Sequence, residues 1–366
     1  MHLCIYFFVD FFGKMWYTVI MINLRKKKGF MNMKFKRMTA VILTAFLLTG
    51  CTGKQEATTP VESVPEVAPV PVTTLDDQLP EETLPDDGKP APNENGVIVM
   101  TMPDETPEEI DTGSDGTVSF VAVGDNLIHT AVYRSAAEHA ENGEDYNFGY
   151  CYQYVADKIK SADLAFINQE TVICNGEFEI SGSNLNFNSP NELGDCLIDM
   201  GFDIINMANN HVLDKGSSGM RACLDYWDSR VEAHPDLLVL GAYRDYQDMY
   251  DYRITEVNGV SFGILGYTDH TNGYSLPDNS EMQIPYLSDE KMIKKQIEEL
   301  SKQVDCVVVS AHWGEEDTHV IRDSDKAQAQ KFIDWGADVI IGTGPHTLQS
   351  MEYLTRPDGS QGFVFY

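Results

Sequence analysis

From residue 117 onward, short runs of Val, Ile, Leu, Phe and Ala alternate with stretches whose apolar positions recur every three or four residues. The first pattern fits buried strands and the second amphipathic helices. Strands are predicted over 118–123, 163–167, 202–207, 237–240, 306–311 and 337–341. Helices are predicted over 128–141, 152–161, 191–200, 217–228, 289–303 and 325–335. Residues 252–256 and 260–266 read as a hairpin, because Asn258-Gly259 between them suits a two-residue turn. Alternation of strand and helix predicts a layered α/β fold. The final run, Gly362-Phe-Val-Phe-Tyr366, reads as a strand with neither turn nor polar tail after it, so the 117–366 domain is expected to be incomplete at its C-terminus.

The pattern ahead of residue 117 is different. Residues 52–116 are rich in Pro, Thr, Val, Glu and Asp and nearly free of aromatics. Such a stretch buries too little apolar surface to offset its ordering entropy, and is predicted to be a disordered acidic tether. Before it, Lys34, Lys36 and Arg37 precede the apolar run 40–48, which leads to Leu48-Thr-Gly-Cys51. A basic region, a short apolar stretch and small residues make 31–51 a secretory signal. The run is about half the roughly 20 residues a transmembrane helix needs. Residues 1–30 fit no part of that signal, so Met31 or Met33 is the expected start and 1–30 reads as upstream sequence.

Charge narrows the partners. The chain carries 26 Lys and Arg against 57 Asp and Glu, a formal net charge of −31. Beyond Cys51 the balance is 18 against 56, about −38 net. That charge opposes nucleic acid and anionic lipid and makes divalent cations easier to accept. Cys151, Cys174, Cys196, Cys223 and Cys306 show no Cys-x-x-Cys spacing, which argues against a zinc-thiolate site. Cys196 and Cys223 lie in helical patterns and Cys306 in a strand, which suits small buried hydrophobes, and no catalytic cysteine is expected.

Candidate chemistry sits at the ends of the predicted strands. Gly124-Asp125, Asn168-Gln-Glu170, Asn209-Asn-His211, His312-Trp-Gly314 and Gly344-Pro-His346 each follow an apolar run. Ligands of α/β sheets bind beyond the carboxyl ends of strands. Asp125, Glu170, Asn210, His211, His312 and His346 are therefore predicted to share one rim. Carboxylate, amide and imidazole without thiolate suit Mn, Fe or Zn better than Ca. Asp125 and His346 would hold one ion and Asn210 with His312 a second, with Glu170 bridging them. His211 could then protonate a leaving group. Plainer roles stay open: Asp125 as a helix cap, Glu170 in a solvated turn, Asn210-His211 as a loop brace, His312 packed beside Trp313. Asp214 and Gly216 read as shaping a turn, and Glu315 and Glu316 as exposed.

These blocks, with Ala208-Asn-Asn-His-Val-Leu-Asp-Lys-Gly216 and His312-Trp-Gly-Glu315 in full, resemble the CapA-type capsule synthesis proteins. That family is named for poly-γ-glutamate capsule production and is related to the calcineurin-like metallophosphoesterases. The resemblance spans roughly 118–366 and implies a layered calcineurin-like metallophosphoesterase-type fold. It puts Asp125 at the first metal aspartate, Glu170 at the bridging position, Asn210 at the amide ligand and His211 at the catalytic histidine. His312 and His346 match ligands of the fourth and closing motifs. Two positions depart: Leu127 stands where metallophosphoesterases have histidine, and Gly344 where capsule proteins usually keep one. Each ion is thus expected to lose one protein ligand. The family also continues into a Ser-Leu-Gly-Asn-Phe block that would follow Tyr366. Separately, Leu48-Thr-Gly-Cys51 resembles the bacterial lipobox, which implies diacylation of Cys51.

Three functions follow from these expectations. The resemblance implies a lipid-anchored protein on the extracytoplasmic face of the bacterial membrane. It would serve biosynthesis, export or attachment of an anionic capsule polymer such as poly-γ-glutamate, alongside membrane-embedded synthase partners. The rim alone supports a metal-dependent phosphoesterase or amide hydrolase acting on a cell-envelope substrate. The ligand missing at Gly344 supports a non-catalytic binding module on the same scaffold.

Overall fold

A computed structural model describes residues 2–9 and 16–25 by their backbone, and 117–183 and 186–366 with side chains. The readings of 31–51, of Cys51 and of 52–116 lie outside the described residues. In chain order the elements begin β1 (His2–Val9), β2 (Trp16–Arg25), β3 (Thr117–Asp125), α1 (Thr130–Glu138), α2 (Gly149–Tyr152), α3 (Ala156–Lys160) and β4 (Leu164–Asn168). Next come β5 (Ser181–Ser183), β6 (Asn186–Asn188), α4 (Asn191–Asp199), β7 (Ile204–Asn206), α5 (Gly216–Ala233), β8 (Leu238–Leu240), α6 (Tyr246–Tyr250) and β9 (Arg253–Val257). The chain closes with β10 (Val260–Thr268), α7 (Glu290–Leu300), β11 (Cys306–His312), α8 (Asp323–Trp335), β12 (Val339–Thr343), β13 (Met351–Thr355) and β14 (Gln361–Phe365).

The strands form two six-stranded sheets and a small hairpin, β5-β6. The first sheet runs β1-β2-β3-β4-β7-β8, parallel from β3 to β8. The second runs β13-β14-β12-β11-β10-β9, with its centre parallel and its edge strands antiparallel. Alternating side chains decide how the sheets stack. Val118, Phe120 and Ala122 of β3, with Leu164, Phe166 and Ile204, face Phe262, Ile264, Val308, Ile341 and Phe363 of the second sheet. Burying each such large side chain contributes about 1.5–3 kcal/mol. The alternate positions, Val121, Val123, Ala165, Ile167 and Ile205, pack outward against Leu193, Leu197, Met220 and Trp227 of α4 and α5. On the far side, Leu265, Val307, Val309 and Ile340 meet Ile293 and Ile297 of α7 and Phe332 and Ile333 of α8. The layers are helix, sheet, sheet, helix: the layered α/β architecture expected, here with two sheets.

Some elements differ from the sequence reading. The helix predicted over 152–161 is shortened to α3, with α2 ending at Tyr152. Tyr152, Val155 and Ile159 are all buried, but the Val155 N–H bonds to the Tyr152 carbonyl three residues back, so the chain turns between them. β1 and β2, a hairpin antiparallel to β3, were not expected from residues 1–30. β5, β6, α6 and β13 were also missed, whereas β14 falls on the predicted final strand. Among the described residues no helix is long and apolar enough to cross a membrane.

Candidate metal centre

Strand register brings both sheets to one rim. Asp125 pairs with Asn168 and Asn168 with Asn206 across the first sheet, while His312 pairs with Thr343 across the second. The ladder skips Gly124, and this bulge re-aims Asp125 at the end of β3. The predicted rim therefore lies between the facing ends of two sheets, and all six predicted residues reach it.

Asp125, Glu170 and His346 offer ligand atoms that all lie within 4.8 Å of one another. The His346 Nδ1 is 3.0 Å from Asp125 Oδ2, which also accepts the Gly344 N–H at 2.9 Å. Glu170 sits at the centre: its Oε1 is 3.8 Å from His312 Nε2, 3.9 Å from His211 Nε2 and 4.0 Å from His346 Nε2. Asn210 Oδ1 lies 3.0 Å from His312 Nε2. His211 turns its other nitrogen to Asp214, at 2.8 Å. The plainer roles fall away for some of these residues. Asp125 does not cap α1, whose N-cap is His129, and Glu170 is fully buried rather than in a solvated turn. Glu315 and Glu316 are exposed.

Electrostatics follow from this crowding. Burial, followed by the charges of Asp125, Glu316 and Asp214, pushes the Glu170 carboxyl well above the usual range. Burial would also raise Asp125, but the His346 hydrogen bond and the nearby His312 and His346 outweigh it and bring Asp125 to about 2. Burial lowers His312 to about 4, against the pull of Asp125, so the ring is neutral near pH 7. For His346, burial opposes the charged form, yet the Asp125 hydrogen bond and charge leave its pKa raised.

Several supporting residues were not singled out from the sequence. Asn206 Nδ2 donates to Asn168 Oδ1 at 2.9 Å and approaches Ser310 Oγ of the facing sheet at 3.3 Å. This fixes the Asn168 amide so that its Nδ2 points to Asp125 Oδ1, at 2.8 Å. Asp214 does more than shape a turn: Oδ2 accepts from both His211 Nδ1 and the Phe187 N–H at the base of the β5-β6 hairpin. Phe187 in turn lies edge-on between His211 and His129, with ring centroids 4.8 and 4.9 Å away. Apart from His211 with Asp214, three residues apart, these partners are distant in sequence, so only the positions of Asn168 and Asp214 inside the motifs could have signalled them.

Gly344 explains one departure. It has φ +110°, and a Cβ there would stand 2.5 Å from the Trp313 carbonyl oxygen. A histidine does not fit this backbone; in its place the Gly344 N–H holds Asp125. Burial raises the Cys151 and Cys223 thiols to about 11 and Cys196 to about 12, which keeps these three protonated near pH 7.

The residues present fit a divalent cation. Among the described residues neither buried Glu170 oxygen has a hydrogen-bond partner, a costly state that an adjacent cation would relieve. The surrounding donors are a second carboxylate, a neutral imidazole and an amide oxygen, which is first-row divalent chemistry. Asp125, Glu170 and His346 would hold one ion, and His312 with Asn210 faces Glu170 from the other side.

A family model described as bacterial capsule synthesis protein PGA_cap matches residues 119–366. Similar proteins include the capsule biosynthesis protein CapA of Bacillus anthracis, 28% identical over 233 residues, covering 60% of this chain and 53% of that protein. The PGA biosynthesis protein CapA of Bacillus subtilis (strain 168) is 30% identical over 253 residues, covering 68% and 62%. The chain thus matches between about half and three-fifths of the length of these relatives. Among solved structures, a putative 5'-nucleotidase from Staphylococcus aureus in complex with alpha-ketoglutarate aligns with TM-score 0.41 at 14% identity, over 67% of this chain and 47% of that one. A 5'-nucleotidase from Candida albicans SC5314 aligns with TM-score 0.36 at 14% identity, over 67% and 45%.

Proposed function

The chain belongs to the bacterial capsule synthesis protein family, and on that premise we propose that it serves the biosynthesis, export or attachment of an anionic surface polymer such as poly-γ-glutamate. The match over residues 119–366 carries this reading. Diacylation of Cys51 would tether the protein to the extracytoplasmic face of the membrane, with 52–116 as a spacer beside membrane-embedded synthase partners. The test is deletion of the gene in a polymer-producing host, with glutamate released from the surface polymer measured after acid hydrolysis. Polymer should fall and be restored by the parent gene, and Cys51→Ala should move the protein out of the membrane fraction. Unchanged polymer after deletion would sink the reading.

A second reading, a metal-dependent phosphoesterase or amide hydrolase of the cell envelope, is favoured by the partnerless Glu170 carboxylate at the centre of three imidazoles. Mn, Fe or Zn held there would polarise a phosphoryl or acyl oxygen and make a bound water acidic. The chain's own part is orientation. Asp214 fixes His211 by Nδ1, leaving Nε2 as the atom that would take up a proton and pass it to a leaving group. Asn168 and Gly344 hold Asp125 with an oxygen toward the ligand cluster. This reading fails if purified protein binds none of these metals, or if Asp125→Ala leaves metal content unchanged.

A further inference from the structure

A sixth strand reaches the rim. β10 pairs with β11 so that Thr268 lies beside His312, and the Asp269 N–H donates to the His312 carbonyl at 2.9 Å. The loop that leaves β10 is folded back by local bonds. Thr268 Oγ1 donates to the His270 carbonyl at 2.9 Å, and Thr271 Oγ1 to the Tyr274 carbonyl at 2.6 Å. These set Asn272 against the centre, with φ +51°. Asparagine tolerates this left-handed backbone better than most residues. The Asn272 N–H also approaches His270 Nδ1, at 3.3 Å.

Two observations at Asn272 go together. Its Oδ1 accepts from Asn210 Nδ2 at 3.4 Å, while Asn210 Oδ1 faces His312 Nε2 at 3.0 Å. Turning the Asn272 amide over would set NH2 against NH2, so the contact selects which end of the Asn210 amide faces the centre. The other end of Asn272, Nδ2, is buried and has no hydrogen-bond partner among the described residues. A buried donor without an acceptor costs stability, a cost that a ligand oxygen would offset.

We propose that Asn272 is a bifunctional residue of this centre: its Oδ1 orients the Asn210 amide toward the metal, and its Nδ2 donates to an oxyanion, phosphoryl or carboxylate, bound there. The inference rests on the metal-centre reading and adds to it a ligand-contacting group from the β10 loop. A cation beside a fixed N–H donor recognises the anionic oxygen common to phosphoesters and to γ-glutamyl carboxylates, without choosing between them.

The test uses the full chain with Mn(II), then inorganic phosphate or glutarate titrated into the Mn-loaded protein, all by calorimetry. Asn272→Gly removes the side chain while accepting the positive φ, so folding is preserved. Its Mn(II) affinity should fall about fivefold and its oxyanion affinity about tenfold, the scale of one hydrogen bond and of one charge-assisted hydrogen bond. Asn272→Asp keeps an acceptor for Asn210 but loses the donor. It should bind Mn(II) at least as tightly as the parent and the oxyanion at least about tenfold more weakly. Loss confined to phosphate identifies a phosphoryl ligand; loss confined to glutarate identifies a carboxylate. Asn272→Gly protein that binds Mn(II) and both anions like the parent overturns the proposal alone. Parent protein that binds no Mn(II) overturns it together with the metal-centre reading.

Discussion

Replacing Glu170 by glutamine should stabilise the metal-free protein and abolish its response to metal. Glu170 is fully buried, neither carboxylate oxygen has a hydrogen-bond partner among the described residues, and burial with Asp125, Glu316 and Asp214 raises its pKa well above the usual value. Between the ordinary glutamate pKa of about 4.3 and the raised folded value, the native state holds a proton that the unfolded chain has lost. The group's contribution to stability therefore falls as pH rises, by about 1.4 kcal/mol per unit until the folded value is passed. From pH 5 to pH 7 the loss is up to about 2.7 kcal/mol, a large share of the roughly 5–15 kcal/mol by which domains are stable. Glutamine is nearly isosteric and carries no charge, so it removes that slope.

Urea unfolding of parent and Glu170→Gln in EDTA at pH 5, 6 and 7 measures the difference. Glu170→Gln should gain on the parent by up to about 1.4 kcal/mol with each unit of pH. Adding Mn(II) at a hundred times its dissociation constant should stabilise the parent by about 2.7 kcal/mol and the variant far less. The reasoning is refuted if the two proteins differ equally at pH 5 and pH 7, or if Mn(II) stabilises both alike.

Three further outcomes are expected. His312 has its pKa lowered to about 4 by burial. The unfolded chain therefore takes up this proton first as pH falls from about 6.5 to 4, and up to about 3 kcal/mol of stability is lost, a loss that His312→Gln should spare in acid unfolding curves. Gly344→Ala, and equally Gly344→His, should cost about 2 kcal/mol or more in urea unfolding, because the Cβ meets the Trp313 carbonyl and φ is positive; a tighter-binding Gly344→His would contradict this. Asp214→Asn should weaken the hold on His211 Nδ1 and the Phe187 N–H, lowering stability by about 1–3 kcal/mol. Imidazole 15N shifts should show His211 as the Nδ1–H tautomer in the parent and a mixture in the variant.

Much of the fold could be read from the chain because a buried parallel strand is a mainly apolar run, with polar residues gathered where it ends. That rule found Asp125, Asn168, His312 and the Asn209-Asn210-His211 turn. It could not say that these ends belong to two sheets. β3 and β11 are both Val-rich apolar runs, and which runs pair depends on contacts more than a hundred residues apart, such as Asn210 with His312. The β5-β6 hairpin was invisible because Ser, Gly and Asn read as loop; it is held by Asp214 and by Lys215 Nζ on Ser181 Oγ rather than by an apolar stripe. Asn272 was hidden by Gly273, since Asn-Gly reads first as a turn.

The two-sheet arrangement also explains why the centre tolerates its departures. Asn206 stands on the first sheet and Ser310 on the second, and the amide chain Asn206–Asn168–Asp125 runs from that contact to the rim. Asp125 is thus fixed from its own sheet through Asn168 and from the facing sheet through the Gly344 N–H and His346. Each clamp restrains a different carboxylate oxygen, Oδ1 for Asn168 and Oδ2 for the other two. Neither requires a histidine at 127 or 344 for Asp125 to be held. What those histidines would add is a ligand. What the packing supplies without them is a preorganised carboxylate beside Glu170, and the energetic cost of leaving Glu170 partnerless is what a cation would offset on binding.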